Sequence, residues 1–454
     1  MDKITSKIAS YTSSINYEDL PPEVVHKTKG LLIDALGCGI AGYTSEPAEI
    51  ARKMAGRVKG KLLPATILGT NDQSSPELAT FANGVMIRYL DFNDGYVSKS
   101  RGHPSDNFAP VLACGDAIHA SGKELVTASV LSYEAFCRVS DQIDLNRTDF
   151  DHAVTGVISS VVGASKILGL SQQQMVEAIN LAIAPNICLL QTRAGELSMW
   201  KCCAFANAAR NAVFASLLAK EGMTGPRPIF EGRHGFFHAI SGPFELEELG
   251  GRDKPFRIMN VSIKRYPLGQ HGQTAVDAAL KVRSKMSSGD EIASVRIGTF
   301  KVGKIVMGEE PEKWRPRTRE TADHSIPYVV GVALFINGPV EVRHFSDEYL
   351  HHPDLLNLIQ KIKVEESEEC NNLFPAVSAN RVTVITKSGQ TLSEMVQYHH
   401  GHYKNPLTDA EIEQKFNSLT QDLLSASQRE RLLRVLWNIE QVGDVHEIME
   451  LLRV

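Results

Sequence analysis

Ile292-Ala293-Ser294-Val295-Arg296-Ile297-Gly298-Thr299-Phe300 alternates as a half-buried strand does, in a chain that otherwise repeats its apolar residues at helical spacing. Arg381-Val382-Thr383-Val384-Ile385-Thr386 has the same period. Ser388-Gly389-Gln390 separates it from a second extended run, Thr391 to Tyr398, which is a hairpin signal. Between these strands the pattern from Pro353 to Ile362 reads as helix. The strands are confined to one stretch, and this decides the fold class: α+β, with helices and strands segregated.

Outward from that stretch the chain is helical on both sides. Pro21 and Pro22 stand where a helix can begin, because a first-turn proline gives up no needed hydrogen bond. The run from Val24 to Ile40 has helical spacing and stops near Gly42. Ser171 with Gln174 forms a capping box ahead of Val176, Ile179 and Ile183, and Ala204 to Leu218 is rich in the small residues that let helices pack closely. Downstream, Thr408 with Glu411 and Ser427 with Glu430 read as two more capping boxes. The expectation is a large all-helical domain formed by residues 1–264 and 396–454, with a smaller α+β lid domain, residues 265–395, inserted into it.

At 454 residues the chain is too long for a single core. A net charge of -5 gives no general attraction for nucleic acid or an anionic membrane, so an anionic ligand needs a local cluster of basic side chains. The start, Met1-Asp2-Lys3-Ile4, is not an apolar leader, and no stretch reads as a bilayer span. Seven scattered cysteines without a C-x-x-C fit a reducing compartment. A cytoplasmic protein without a membrane or nucleic-acid partner is expected.

Several segments concentrate polar chemistry. Leu90-Asp91-Phe92-Asn93-Asp94-Gly95 and Arg101-Gly102-His103-Pro104-Ser105-Asp106-Asn107 put three carboxylates, two carboxamides, an Arg and a His into one turn-rich region. An ordinary polar loop with Asx-turns would look similar. His152 precedes a helix of small residues, and Lys201 sits inside an apolar run, where it must snorkel or meet an anion. Lys264-Arg265-Tyr266-Pro267 and His271-Gly272-Gln273-Thr274 lie where composition changes, hence near a domain junction and its cleft, although a solvated linker is the plainer alternative. Asp323-His324-Ser325-Ile326-Pro327-Tyr328 combines titratable groups with an X-Pro step. His351-His352 and His399-His400-Gly401-His402 lack carboxylate or thiolate partners at ligand spacing, so no metal site is expected. No P-loop, dinucleotide fingerprint or G-x-S-x-G elbow occurs.

Taken in order, these segments resemble the MmgE/PrpD family of 2-methylcitrate dehydratases, cis-aconitate decarboxylases and iminodisuccinate epimerases. Leu31-Leu32-Ile33-Asp34-Ala35-Leu36-Gly37-Cys38-Gly39 is similar to its opening helix, Leu90 to Asp94 to its acidic motif, and Gly102 to Asn107 to its histidine motif. Lys264 to Pro267 with His271 to Ala279 resembles its junction motif, Ala322 to Tyr328 its lid motif, and His402-Tyr403-Lys404-Asn405-Pro406-Leu407-Thr408 the return to the helical domain. The resemblance implies a homodimer and proton chemistry on a small polycarboxylate without metal or other cofactor. It implies catalytic roles for Asp91, His103, Lys201, Lys264, His271 and Tyr328, and substrate contacts from Asn93, Arg101, Ser105 and His152.

One departure stands out. Many family members carry Thr directly after the acidic motif, where this chain has Gly95, so a hydroxyl is missing. Asn93, the gap from Asp91 to His103, the Ser-Asp-Asn after Pro104 and the Gln-Thr-Ala-Val after Gly272 are similar to 2-methylcitrate dehydratases. The expected activity is therefore a hydro-lyase acting on a hydroxy-polycarboxylate such as 2-methylcitrate or citrate. Decarboxylation of a cis-aconitate type of acid, epimerisation of an amino- or imino-dicarboxylate, and non-catalytic polycarboxylate binding are the alternatives.

Overall fold

The first long helix, α1 (Pro22–Ala41), begins at the expected proline pair and stops where the Gly42 N–H bonds the Cys38 carbonyl. Its last three turns are buried on every side, which explains why it is apolar throughout instead of amphipathic. The computed structural model describes residues 2–251 and 253–454. Helices α2 (Pro76–Tyr89), α3 (Phe108–Ala117), α4 (Gly122–Gln142), α5 (Ala153–Ile167), α6 (Gln172–Ile183) and α7 (Trp200–Lys220) follow. Ser171 and Gln174 cap α6 reciprocally, as their spacing predicts. α7 packs against α2, α5 and α6. It crosses α2 so closely that a β-carbon on Gly84 would lie 2.9 Å from that of Ala206. Phe205 fills the next turn, against Gly156 of α5. Truncating this buried ring to Ala would cost about 3–5 kcal/mol.

α7 corrects one expectation, because it is apolar and long enough to cross a bilayer by length and composition. Its apolar window is 67% buried against neighbouring helices, which accounts for that composition without a membrane.

The same hydrophobic core takes in α11 (Asp409–Thr420) and α12 (Ala426–Trp437) from the other end of the chain. α11 has the expected Thr408–Glu411 capping box. α12 does not use Ser427 and Glu430. It starts at Ala426, and the Ser425 hydroxyl accepts from the Gln428 N–H at 3.3 Å, so Ser427 already lies inside the first turn.

A second core is built between Tyr266 and Val396. It holds α8 (Gln273–Arg283), α9 (Lys301–Met307), α10 (Ile326–Ile336) and a four-stranded sheet. Two short strands, β1 (Tyr96–Val97) and β2 (Arg101–Gly102), pair antiparallel far upstream. The sheet itself consists of β3 (Ile292–Thr299), β4 (Ile362–Glu366), β5 (Asn380–Thr386) and β6 (Thr391–Val396), in the order β4-β3-β5-β6. The hairpin β5-β6 is antiparallel, as its turn residues predict, and β3 joins β5 antiparallel. β4 pairs parallel to β3 and was not evident in the sequence: the helix that starts at Pro353 stops at Ile359, and Ile362 opens the strand. Val382 and Val384 of β5 point inward, where α8 packs.

Lys415 of α11 fastens the C-terminal helices to the N-terminal helical part. Its ammonium pairs with Asp34 of α1 at 2.6 Å and donates to the carbonyls of Phe92 at 2.7 Å and Lys264 at 2.8 Å.

Candidate active site

α2 ends at Tyr89, and the next turn places Asp91 in the left-handed region, with φ of 48°. A non-glycine residue held there is strained. Asp91 is fully buried among cations. Oδ1 accepts from Arg88 at 2.7 Å and from Lys264, whose ammonium also donates to the Asp91 carbonyl at 2.8 Å. Oδ2 lies 3.2 Å from Lys201 and 3.3 Å from Nδ1 of His324. Lys201 also pairs with Asp323, which accepts from His324 Nδ1 at 2.7 Å. Burial pushes the Asp91 pKa up, but Arg88, Lys264 and Lys201 together hold it well below the usual carboxylate range. Burial also pulls Lys264 down to about 8. Ligand atoms of Asp91, Asp323 and His324 converge closely enough to share one cation. The Lys201 ammonium bridges the two carboxylates there, so this chain's own lysine supplies the positive charge that the cluster calls for.

His103 is next to this cluster. Nδ1 lies 2.7 Å from the Asp94 carbonyl oxygen, which can only accept, so Nδ1 carries the hydrogen. Burial, with Arg88 and Lys264 nearby, holds the ring well below the ordinary imidazole range, hence neutral. Nε2 is therefore a free lone pair, 3.8 Å from Oδ1 of Asp91. Asp94 is held by the Ser105 N–H and hydroxyl at 3.0 and 2.6 Å and by the Tyr133 hydroxyl at 2.8 Å. Burial nevertheless raises it to about 6. Asn93 donates to Ser105 and to Asp106, whose own carboxyl burial raises to about 7.

A cavity of about 250 Å³ opens against His103. Four imidazoles line it: His103, His152, His271 and His324. So do three guanidiniums: Arg88, Arg101 and Arg193. Asp151 and Glu310 are its carboxylates. Asp151 is already paired with Arg193 at 2.8 Å and His152 at 3.3 Å, and the Glu310 carboxylate accepts from the Gly195 N–H at 3.0 Å. The His152 ring meets His103 edge-on with centroids 5.5 Å apart, and its Nε2 is buried without a hydrogen-bond partner. His271, edge-on to Phe300, has both ring nitrogens buried and unpartnered. The sequence gives no reason to expect such orphaned nitrogens in a core. A ligand with carboxylates and a hydroxyl would complete them.

The residues singled out from the sequence divide into two groups and one that stands apart. His103, His152, His271 and Arg101 line the cavity. Asp91, Lys201, Lys264, Asn93 and Ser105 do not. They form the buried support behind His103, with both ammoniums engaged by carboxylates. Tyr328 is elsewhere: its hydroxyl donates to the His344 carbonyl at 2.6 Å inside the second core. As the third residue of α10, it has its N–H capped by Ser325 and its ring turned inward. His324, four residues earlier in the same motif, faces the cavity instead. Arg88 and Arg193 were not picked out. Arg88 had a readable signal, since it precedes Asp91 by three residues on a helix end. Arg193, in an irregular segment, had none.

Gly95 has a structural reason. A β-carbon there would meet the Gln270 amide oxygen at 2.5 Å, so a threonine cannot occupy the position while Gln270 keeps its place. Gln270 lines the cavity, and its amide nitrogen lies 3.2 Å from Nε2 of His399. His399 Nδ1 donates to the His400 carbonyl, so Nε2 accepts and the Gln270 amide nitrogen must be the donor. A carboxamide thus fills the space left by the missing hydroxyl side chain.

Residues 6–249 match the MmgE/PrpD N-terminal domain and residues 266–441 the MmgE/PrpD C-terminal domain. Human cis-aconitate decarboxylase is 25% identical, covering 100% of this chain and 95% of its own length. The 2-methylcitrate dehydratase of Cupriavidus necator is 29% identical over 88% of this chain and 86% of its own. The 2-methylcitrate dehydratase of Salmonella typhimurium is 27% identical over 86% and 84%. The two domain matches together run through most of the chain, with Lys264 in the short gap between them and His271 just inside the second. This chain belongs to the MmgE/PrpD family.

Proposed function

We propose that this lyase is a hydro-lyase that dehydrates a small hydroxy-polycarboxylate of the citrate or 2-methylcitrate class by general acid–base chemistry, with its own side chains as the acids and bases. The observation that carries the reading is the neutral His103, whose Nε2 lone pair faces a cavity ringed by three guanidiniums. The names of the Cupriavidus necator and Salmonella typhimurium relatives support it.

His103 Nε2 removes the proton on the carbon beside a carboxylate. The resulting imidazolium is stabilised by Asp91. Arg101 holds a carboxylate, and Arg88 and Arg193, already paired with Asp91 and Asp151, add positive potential for the negative charge that develops as the C–H bond breaks. The electron pair forms the double bond and the C–O bond breaks. The departing hydroxide takes a proton from an imidazolium and leaves as water. His152 and His271 are the candidates for that acid. Burial keeps both rings low in the free cavity, and a polyanionic substrate favours their protonated forms. The part built between Tyr266 and Val396 serves as an inserted lid, bringing His271 and His324 to the histidine of the helical part and excluding water.

Decarboxylation is the second reading, favoured by the full-length match to human cis-aconitate decarboxylase. The same arginines would then hold the charge left by departing carbon dioxide. Proton NMR of chelator-treated protein in deuterated buffer with 2-methylcitrate, citrate and cis-aconitate separates the two. A new olefinic signal from a hydroxy acid supports dehydration. Itaconate from cis-aconitate moves the activity to decarboxylation. Deuterium uptake without a new product means epimerisation, and silence across the panel means binding without turnover.

The assembly is a homodimer formed through α7. Trp200 at 48% and Phe214 at 53% exposure share one face of that helix. The compartment is a reducing one such as the cytoplasm: all seven cysteines are buried and free.

A further inference from the structure

Gln270 lines the cavity with one end of its amide fixed and the other open. Its Nε2 donates to Nε2 of His399 at 3.2 Å, and the His400 carbonyl holds that ring through Nδ1 at 3.0 Å. Burial keeps His399 below the ordinary imidazole range, so the ring stays neutral and its Nε2 stays an acceptor. The amide is therefore fixed in one orientation. Its other end, Oε1, is buried and has no hydrogen-bond donor among the described residues. The Gly95 N–H beside it already donates to the Ser262 carbonyl at 2.8 Å. A buried acceptor left open in this way asks for a ligand that supplies the donor. Carboxylates only accept, so they cannot be that partner. On a fully ionised hydroxy-polycarboxylate the hydroxyl is the one donor.

We propose, on the basis of the hydro-lyase reading, that Gln270 selects for the hydroxyl of the substrate: Oε1 accepts the O–H, and His399 holds the amide in the orientation that allows it. The hydroxyl oxygen keeps its lone pairs for the imidazolium that protonates it as the C–O bond breaks. Gly95 belongs to the same device, because a β-carbon there would stand 2.5 Å from Oε1 and displace it. An acid of equal charge without the hydroxyl leaves Oε1 open and binds about tenfold more weakly. The olefinic product has lost the donor too, which favours its release.

The test is calorimetric affinity for citrate and 2-methylcitrate, each against its analogue without the hydroxyl, tricarballylate and methyltricarballylate. The proteins are the wild type, Gln270→Met and Gly95→Ala. Gln270→Met keeps the length of the side chain and removes the acceptor, whereas Gly95→Ala displaces Oε1 without removing it. The wild type is expected to favour each hydroxy acid by about tenfold, and both variants to bring that ratio close to one. A purely structural role for Gln270 would weaken the paired acids alike and leave the ratio where it was. A wild-type ratio near one overturns the proposal, as does a ratio kept in either variant or the failure of all four acids to bind. Turnover of the hydroxy acids is followed in the same samples. If none is turned over, the hydro-lyase reading fails, while the affinity ratio still decides the role of Gln270.

Discussion

Two clusters of ionisable groups meet behind and in front of His103, and they are completed to different degrees. Behind it, Arg88, Asp91, Lys264, Lys201 and Asp323 answer each other's charges within the protein, although Arg88 Nε and Asp91 Oδ2 make ion-pair contacts without a hydrogen bond. In front, His152 has one ring nitrogen without a partner and His271 has two. A buried ion cluster is expensive to desolvate and rarely justified by stability alone. An unpartnered buried nitrogen costs about 1–3 kcal/mol. The first cluster is an electrostatic support: burial, with Arg88 and Lys264, holds His103 low, while the Asp94 carbonyl fixes its ring. The second lines the cavity and keeps ring nitrogens that the protein itself does not partner. Substitutions in the two should therefore fail in different ways.

The largest effect is expected behind His103. Asp91→Ala leaves Arg88, Lys264 and Lys201 buried without their shared carboxylate. A destabilisation of about 3–5 kcal/mol is expected, read by denaturant titration, with activity lost along with the fold. Wild-type stability in this variant would show that the cluster is not structural and would collapse the contrast.

In front, His103→Ala should reduce kcat by about 10²–10⁴ while the thermal unfolding midpoint moves little, because the ring's one hydrogen bond goes to a backbone carbonyl. Near-normal turnover would remove His103 from the chemistry.

Acid should set the cavity imidazoles against the raised carboxyls of Asp94 and Asp106 as opposing contributions to stability. Burial holds His103, His152 and His271 below the ordinary imidazole range and puts His324 at about 3. These depressed groups cost nothing above about pH 6.5, where folded and unfolded forms are both neutral. Below it the unfolded chain takes up protons that the folded one refuses, and stability falls. Asp94, at about 6, and Asp106, at about 7, act in the opposite sense: protonated in the fold, they favour it as pH falls towards 4. These imidazoles outnumber the raised carboxyls, so on acidification the unfolded chain takes up more protons than the fold does. Stability should therefore fall as the pH drops below about 6.5. A flat unfolding midpoint from pH 7 to 5 would mean that the imidazoles are not held neutral.

The division also explains what could be read from the sequence. The helical parts and the hairpin were legible because burial imposes period 3.6 or period 2 on them, and Pro22, Ser171 and Thr408 mark their starts. β4 was hidden because it follows a short helix after a two-residue break and pairs through the backbone, which leaves no strong alternation. In the site, His103, Asp91 and Lys264 were legible from residue type and from resemblance to the family. Their division into support and cavity wall was not, because the partners come from segments more than a hundred residues apart, as with Lys201 and Asp323. Residue type also does not say which way a side chain points on a helix. That is why Tyr328 was expected at the site and His324 was not.

Tyr328 supplies the smallest and sharpest test of the contrast. If the hydroxyl does only what its geometry shows, Tyr328→Phe loses one buried hydrogen bond, leaves the His344 carbonyl unpaired, and costs about 1–2 kcal/mol of stability. The ring still fills its place beside Phe345, so packing is kept. Turnover should stay within about twofold of wild type, since an effect on the barrier below about 0.4 kcal/mol is all that an indirect shift of α10 should transmit. A loss of 10² or more in kcat, with stability unchanged, would mean that Tyr328 swings into the cavity during the reaction. Part of the second core would then belong with the cavity wall in front of His103 and not with the support behind it.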